Sequence, residues 1–452
     1  MNPGVPRAPV APFWNRIAIF VRTGWLEYEA EADLAPPATL DRAMALGRWL
    51  VATLLFAVSP LALMMAGWNY YDTGGSPLEK FHPSTLLSLL VLSLAALRHD
   101  GNPLTGFIAI ARENATLGSF VLATFLMMAY VTTILHIPFT LFIEVFLTAA
   151  MTLALFRNLS DRDARPIALT IHAILFLNAV LAFYEVATGF RLTPLVINGE
   201  DMAEESRASA LLGHPLANAS IAGAYVIALA MGGGHDLALV PRAIAFLVAL
   251  ASLIPFGGRA ATAMTLVSLS LLAARRTLAI LRGATLDPRT VVAALIIVPL
   301  AGFGLIAAFE MGLLDTLTNR IVDDEGSAGT RLEMFELFRR LDTYDLLFGP
   351  DPNTLMTWVR LHGLEYGIES FPVAFALNYG LVPALIFFPA LIWFFVELGR
   401  ACRPGAALVI VYYIAVALTS ISFSAKSPLL SVFVILMLVL LRKGGDERIR
   451  EN

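Results

Sequence analysis

Hydrophobic positions in this chain come in long unbroken blocks separated by short polar joints. A helix needs roughly 20 apolar residues to cross a bilayer. On that measure the pattern predicts twelve spans, at 49–69, 83–97, 117–135, 138–156, 166–186, 214–231, 243–256, 260–274, 290–310, 370–396, 406–421 and 428–441. Lipid offers the backbone no hydrogen bonds, so such blocks are read as helices. The expected fold is all-α: a polytopic integral membrane protein of about 12 transmembrane helices with a large helical extracytoplasmic loop. The division is 1–47 as an N-terminal segment, 48–310 as helices one to nine, 311–368 as the large loop, 369–441 as the last three helices, and 442–452 as a tail.

Composition agrees with the pattern. The chain is 58% hydrophobic and 15% charged, against about 25% charged in soluble domains. Residues 1–47 hold no apolar core of signal-peptide length. Within them Phe13, Trp14, Ile17, Phe20 and Trp25 are interleaved with Arg16 and Arg22, which suits a helix lying on a membrane surface; a disordered tail with a few aromatics suits them equally. The net charge of −4 is small, and no nucleic-acid partner is expected. Cys402 is the only cysteine, and seven scattered histidines show no ligand spacing, so neither an intramolecular disulfide nor a metal site is expected. No phosphate-binding glycine motif occurs in the short inner loops. No cofactor is expected.

Charge fixes the orientation. Cytoplasmic loops carry an excess of Lys and Arg. With the N-terminus inside, 21 of the 31 basic residues fall on inner segments and 10 on outer ones, half of those ten in the single long loop. Both termini are therefore expected in the cytoplasm and the 311–368 loop outside. The outer arginines then stand out. Arg259, in PFGGRAAT, lies between two apolar runs with almost no loop; charge at that depth is costly unless it is paired, faces water or snorkels. Arg207 precedes Gly213-His214-Pro215, which opens the next span. Pro at a first helical turn is favourable, and helix N-termini attract anions. His214 is a ligand contact or a plain polar cap. In the long loop, GTRLEMFELFRRLDTY predicts a helix with Leu332, Phe335, Phe338 and Leu341 on one apolar face, ended by FGPDPN. Glu369 then caps the outer end of one long helix, where a carboxylate suits the dipole.

Collected, the outward charges beside spans are Arg207, Arg259, Arg331 and Glu369, with His214 near and Arg320 and His362 as secondary candidates. Guanidinium groups grip phosphate oxygens bidentately, and a carboxylate can take a proton from an attacking hydroxyl. A substrate with a membrane tail, a pyrophosphate and a sugar uses both, with the arginines stabilising the leaving pyrophosphate.

Three stretches in order carry a family resemblance: RASALLGHPLANASIAG, FGGRAATAM, and GTRLEMFELFRRLDTYDLLFGPDPN followed by IESFPVAFALNYGLVPAL. Together they resemble the superfamily of O-antigen ligases and Wzy-type O-antigen (exopolysaccharide) polymerases, over about residues 200–440. The resemblance implies pyrophosphate binding by Arg207, Arg259 and Arg331. Gly258 stands where serine is usual, Asp351 and Pro352 where a second glycine is usual, and Glu369 where ligases carry histidine; a glutamate there is similar to the polymerase branch. His362, seven residues upstream, is a secondary candidate for a shifted equivalent of that histidine, but it lacks the span pattern that should follow it. The implied activity is a glycosyltransferase-type polymerase of the bacterial inner membrane that joins polyprenyl-pyrophosphate-linked oligosaccharides, inverting and metal-independent. A chain-length regulator and a flippase of the same pathway are the implied partners besides the bilayer. The alternatives are ligase-type transfer of glycan to a lipid or protein acceptor and, from another class, a membrane transporter, which twelve spans also fit.

Overall fold

The computed structural model describes residues 38–71, 74–97, 102–113, 115–194, 196–197, 200–201, 207–285, 291–292, 299, 327–364 and 368–443. The chain divides into Met1–Asp41 and Arg42–Asn452, and the second unit carries the architecture below. The surface helix expected near residues 13–25, most of the 290–310 span, Arg320 and residues 444–452 lie outside the described residues.

The described structure is helical apart from one two-residue antiparallel ladder, Val196–Ile197 with Glu200–Asp201. The helices are α1 (Ala38–Ala57), α2 (Pro60–Met65), α3 (Pro83–Ala96), α4 (Pro103–Glu113), α5 (Ala115–Thr133), α6 (Thr140–Phe156), α7 (Asp161–Thr188), α8 (Pro215–Ala230), α9 (Leu239–Ala251), α10 (Leu253–Phe256), α11 (Arg259–Leu281), α12 (Ser327–Arg340), α13 (Thr343–Phe348), α14 (Pro352–Leu361), α15 (Phe371–Tyr379), α16 (Leu381–Ala401), α17 (Ala407–Ala417) and α18 (Leu429–Leu440). Among the described residues, five stretches are long and apolar enough to cross a membrane: α5, α7, α9 with α10, α11 and α16.

Two helices form the centre. In α18 every residue from Leu430 to Leu440 is buried, as expected of a helix that is apolar all round. It packs on α6, α7, α8 and α16. The second, α8, has Ala219, Ser220, Ala222, Gly223 and Ala224 in its buried run, and small residues let helix backbones approach closely. A Cβ on Gly223 would fall 2.0 Å from the Tyr412 hydroxyl of α17 and 2.4 Å from Thr265 Oγ1 of α11. The Tyr412 hydroxyl donates to the Ser220 carbonyl at 3.2 Å. Outward, α5 exposes Leu122, Phe125 and Leu126, and α16 exposes Leu385, Ile386, Ile392 and Trp393. Such apolar stripes suit contact with lipid tails.

Several predicted spans change shape. The block at 49–69 is two helices, because Ser59 precedes a proline and residues before proline leave the helical region; Ser59 instead caps α2, accepting from the Ala62 amide at 3.1 Å. The joint at 98–116 contains a helix, α4, whose Gly106 lies against the α3 backbone at Ala96. The block at 370–396 is likewise two helices. Gly380 sits at φ 88° between α15 and α16, a conformation that excludes most side chains. The 260–274 block runs on to Leu281.

The described part of the long polar segment, 327–364, folds as α12, α13 and α14 over a small core of Met334, Leu337, Leu355, Leu364 and Ile368 with Ala374 and Leu377 of α15. The apolar face of α12 is therefore Met334, Leu337, Phe338 and Leu341, the i, i+3, i+4, i+7 set. The expected set is corrected at Phe335, which is exposed.

Candidate functional site

The site is built from the ends of helices. Arg207 opens a stretch that Glu185, near the end of α7, holds in place. The Glu185 carboxylate is buried and accepts three backbone N–H bonds, from Leu192 at 3.0 Å, Ser209 at 2.9 Å and Ala210 at 3.0 Å. Asn178, two turns earlier on α7, accepts from the Leu211 amide at 2.8 Å and donates to Asn218 Oδ1 at 2.9 Å. Asn218 of α8 donates to the Ser209 carbonyl at 2.6 Å. The Thr193 hydroxyl donates to the Ala210 carbonyl at 3.2 Å and the Ser209 hydroxyl to the Thr193 carbonyl at 2.5 Å, and Arg191 donates to the carbonyl of Arg207. An irregular backbone at this depth has little water to bond to, so its amides are satisfied by buried side chains.

The same loop reaches the turn before Arg259. The Ala208 amide donates to the Pro255 carbonyl at 2.9 Å, which brings the residue after Arg207 onto α10. From Pro255 the chain passes through Gly257 at φ 63° and Gly258 into α11, whose first residue is Arg259. Gly258 is glycine for a local reason: a Cβ there would fall 2.5 Å from the Ala219 Cβ. A serine at this position, usual in the resembled family, would force α8 and α11 apart. Arg259 is exposed and places a cation at a helix N-terminus, where the dipole disfavours it by about 0.3–1 kcal/mol. An anion held there removes that penalty.

His214 lies at the start of α8 as its N-cap. Nδ1 accepts from the Leu216 amide at 3.2 Å, so the polar-cap role is present in the geometry. Gly213, at φ 72°, packs on Ser59, where a Cβ would meet Oγ at 2.7 Å. Leu216, Ser220, Gly258, Ala260 and Ala261 line a narrow crevice with Val416, Thr419 and Ser420 from the end of α17.

Glu369 enters from another side. It is exposed, one residue before Ser370. The expected cap is corrected: Ser370, not Glu369, is the N-cap of α15, and its side chain makes no capping bond. Phe371 meets Phe423 edge-on at 4.9 Å. Phe423 belongs to the short turn Ser422–Ser424 that follows Thr419 and Ser420. A backbone bond thus joins the segment after Arg207 to the turn four residues before Arg259, and Phe371 and Phe423 link the Glu369 segment to the turn that follows the crevice residues Thr419 and Ser420. The helix that carries Arg331, α12, packs on α15. His362 follows α14, with its Nδ1 2.9 Å from Glu333 of α12.

The turn FGPDPN meets the break in the 370–396 block directly. A Cβ on Gly380 would lie 2.5 Å from the Gly349 amide nitrogen and from the Leu347 carbonyl oxygen, and one on Gly349 would lie 2.9 Å from the Tyr379 carbonyl carbon. Tyr130 of α5 donates to the Phe348 carbonyl. Asp351, in place of a second glycine, caps α14 by accepting from Asn353 and Thr354 amides, both at 3.0 Å.

A second buried carboxylate network supports the turn at 418–428. Glu144 lies on a π-helical turn of α6, Ile143–Leu147. It accepts from the Tyr70 hydroxyl at 2.9 Å and the His82 amide at 3.0 Å. Lys426 donates to the Tyr70 carbonyl at 2.8 Å and lies 4.0 Å from the Tyr70 ring centre. Burial pushes the Lys426 ammonium down to about 8, opposed by Glu144 and reinforced by Lys80. Sequence reasoning passed over Glu185 and Asn178. The signal was present: a carboxylate or amide inside an apolar block is costly unless bonded.

No protein-family model matches the chain, and no curated protein matches it.

Proposed function

We propose that the protein is a polysaccharide polymerase that joins polyprenyl-pyrophosphate-linked glycan units at the outer face of a bacterial inner membrane. In this reading the chain has about twelve spans, both termini are cytoplasmic, and the 311–368 loop is periplasmic. Glu369 takes the proton from a sugar hydroxyl of one lipid-linked unit. That oxygen attacks the anomeric carbon of a second unit, and the anomeric C–O bond to its pyrophosphate breaks with inversion. The bonding pair leaves on polyprenyl pyrophosphate, held by Arg207, Arg259 and Arg331, with His214 beside them. Transfer is metal-independent because the guanidinium groups supply the neutralising charge.

The observation that carries this reading is the 2.9 Å bond from Ala208 to Pro255. It brings two arginine-bearing segments 52 positions apart to one place, at a helix N-terminus suited to an anion. The test is made in a deletion strain complemented with wild type, Glu369→Gln or Arg331→Ala, with the lipid-linked glycans extracted and sized. Single repeat units accumulate and polymer is missing if the reading holds. Long unattached lipid-linked chains would instead identify a ligase. Normal intermediates with both substitutions silent would favour a transporter.

A further inference from the structure

The turn between α17 and α18 reaches both halves of the candidate site. Its start, Thr419 and Ser420, lines the crevice beside Gly258. Its middle, Phe423, meets Phe371 edge-on at 4.9 Å, two residues after Glu369. Up to Ser424 the serine hydroxyls bond close by in sequence: Ser420 Oγ donates to the Val416 carbonyl at 3.1 Å, and Ser424 Oγ to the Ile421 carbonyl at 2.5 Å. Lys426 reaches elsewhere. Its ammonium donates to the Tyr70 carbonyl at 2.8 Å and lies 4.0 Å from the centre of the Tyr70 ring. Its carbonyl accepts from the Tyr71 hydroxyl at 3.1 Å. The partner is itself fixed. Tyr70 is buried, and its hydroxyl donates to Glu144 at 2.9 Å. Lys80 donates to the preceding carbonyl, that of Asn69, at 3.0 Å, and Trp68 Nε1 donates to the Phe81 carbonyl at 3.1 Å.

Packing alone does not ask for an ammonium here. Burial and Lys80 both act against the charge, and Glu144 only partly offsets them. A methionine of similar length would fill the same space without that cost. Perturbed charges of this kind cluster at functional sites. What the ammonium adds is direction. A donor aimed at one carbonyl and a charge over one ring fix the end of the turn more narrowly than apolar contact does. Phe423 lies three residues before that end. It is buried, and besides Phe371 it faces Tyr413, Phe395 and Phe146, with ring centres 5.9, 6.2 and 6.4 Å away. Rings in a close-packed interior transmit a shift rather than absorb it. Phe371 is the first residue of α15, so a shift there carries the residues just before the helix with it. We propose that Lys426 is a positioning residue for Glu369, acting through Phe423 and Phe371. The inference rests on Glu369 being the base of the polymerase proposed above.

The test reconstitutes the full chain in phospholipid vesicles, supplies the lipid-linked units extracted from the deletion strain, and compares wild type, Lys426→Met and Lys426→Arg per folded molecule. Misplacing a catalytic group by about 1 Å costs up to about 100-fold, so Lys426→Met should lose about 10–100-fold in kcat. KM should stay unchanged, because the arginines that hold the donor are untouched. Lys426→Arg keeps a charge over the ring and a donor for the carbonyl, and should recover most of the loss. Hydrogen exchange gives a readout that needs no activity: Lys426→Met should exchange faster over 419–426 and over 369–374, while α18 stays protected. Faster exchange over 419–426 alone, or an unchanged kcat beside active wild type, would overturn the inference. Wild type that makes no polymer, with the two peptides still coupled, would overturn the polymerase reading and leave the positioning of residue 369 standing. If Lys426→Met does not fold, Phe423→Leu takes its place. It leaves the Lys426 contacts intact and should free 369–374 and lower kcat by a similar factor; continued protection of 369–374 in that variant would overturn the link.

Discussion

Glu185→Gln is the most informative single change. It keeps the size of the side chain and removes its charge. The carboxylate accepts Leu192 on one oxygen, and Ser209 and Ala210 on the other. The best orientation of the amide puts its oxygen toward Ser209 and Ala210 and its NH2 toward Leu192. The part-buried amide of Leu192 then faces a donor, at a cost toward the low end of roughly 1–3 kcal/mol, and the remaining two bonds lose their charge assistance. A total of about 3 kcal/mol corresponds to a local opening equilibrium on the order of 100-fold larger. Hydrogen exchange followed by mass spectrometry reads this in peptides covering 192–194 and 207–211, which should exchange faster by that factor while α18 stays protected. Unchanged exchange would refute the role of the carboxylate. Faster exchange with undiminished polymer in cells would refute the dependence of Arg207 on this scaffold, and with it the site.

Three further outcomes are expected. Gly258→Ser should destabilise the packing of α8 on α11 and lower activity, and Ala219→Gly in the same chain should restore both by removing the Cβ it strikes; a double-mutant cycle in thermal melting measures the coupling. Gly380→Ala should cost about 2 kcal/mol or more, since it combines a left-handed φ with backbone overlap at Gly349, and should release the 343–364 segment to limited proteolysis before the spans unfold. His82 is held neutral at the outer mouth of α3: Nε2–H donates to the Val58 carbonyl at 3.0 Å, and burial pushes it down to about 4. Its folded value lies below the ordinary 6.5, so the unfolded chain binds the proton more readily. Stability from this group is present above pH 6.5 and lost as pH falls from 6.5 to 4, by about 3 kcal/mol in all; melting of His82→Gln in detergent should show that much less acid dependence.

The helical class and the positions of most helices were legible because burial in lipid writes itself as long apolar blocks. The breaks were less so. Ser59-Pro60 and Tyr379-Gly380 interrupt blocks whose hydropathy never falls, and only the proline and glycine mark them. The short helix α4 was missed because PLTGFIAIARE is too brief for a span. The candidate arginines stood out in the sequence as cations on segments that charge bias assigns to the unfavoured side of a membrane. Their scaffold was not, because Glu185, Asn178 and Asn218 act on backbone amides and carbonyls that only the fold brings to them. The face of α12 shifted for a similar reason: α15, distant in sequence, decides which of Met334 and Phe335 is covered.

The meeting of Gly349 with Gly380 has a bearing on how such proteins diversify. The 343–364 segment meets the break between α15 and α16 main chain against main chain, at two residues that contribute no side chain. The register at this contact does not depend on the identity of any exposed side chain. Exposed positions such as Phe335, Tyr344, Met356 and Leu361 can vary without disturbing that attachment. Homologous chains should differ most over this surface and least at the two glycines that hold it down.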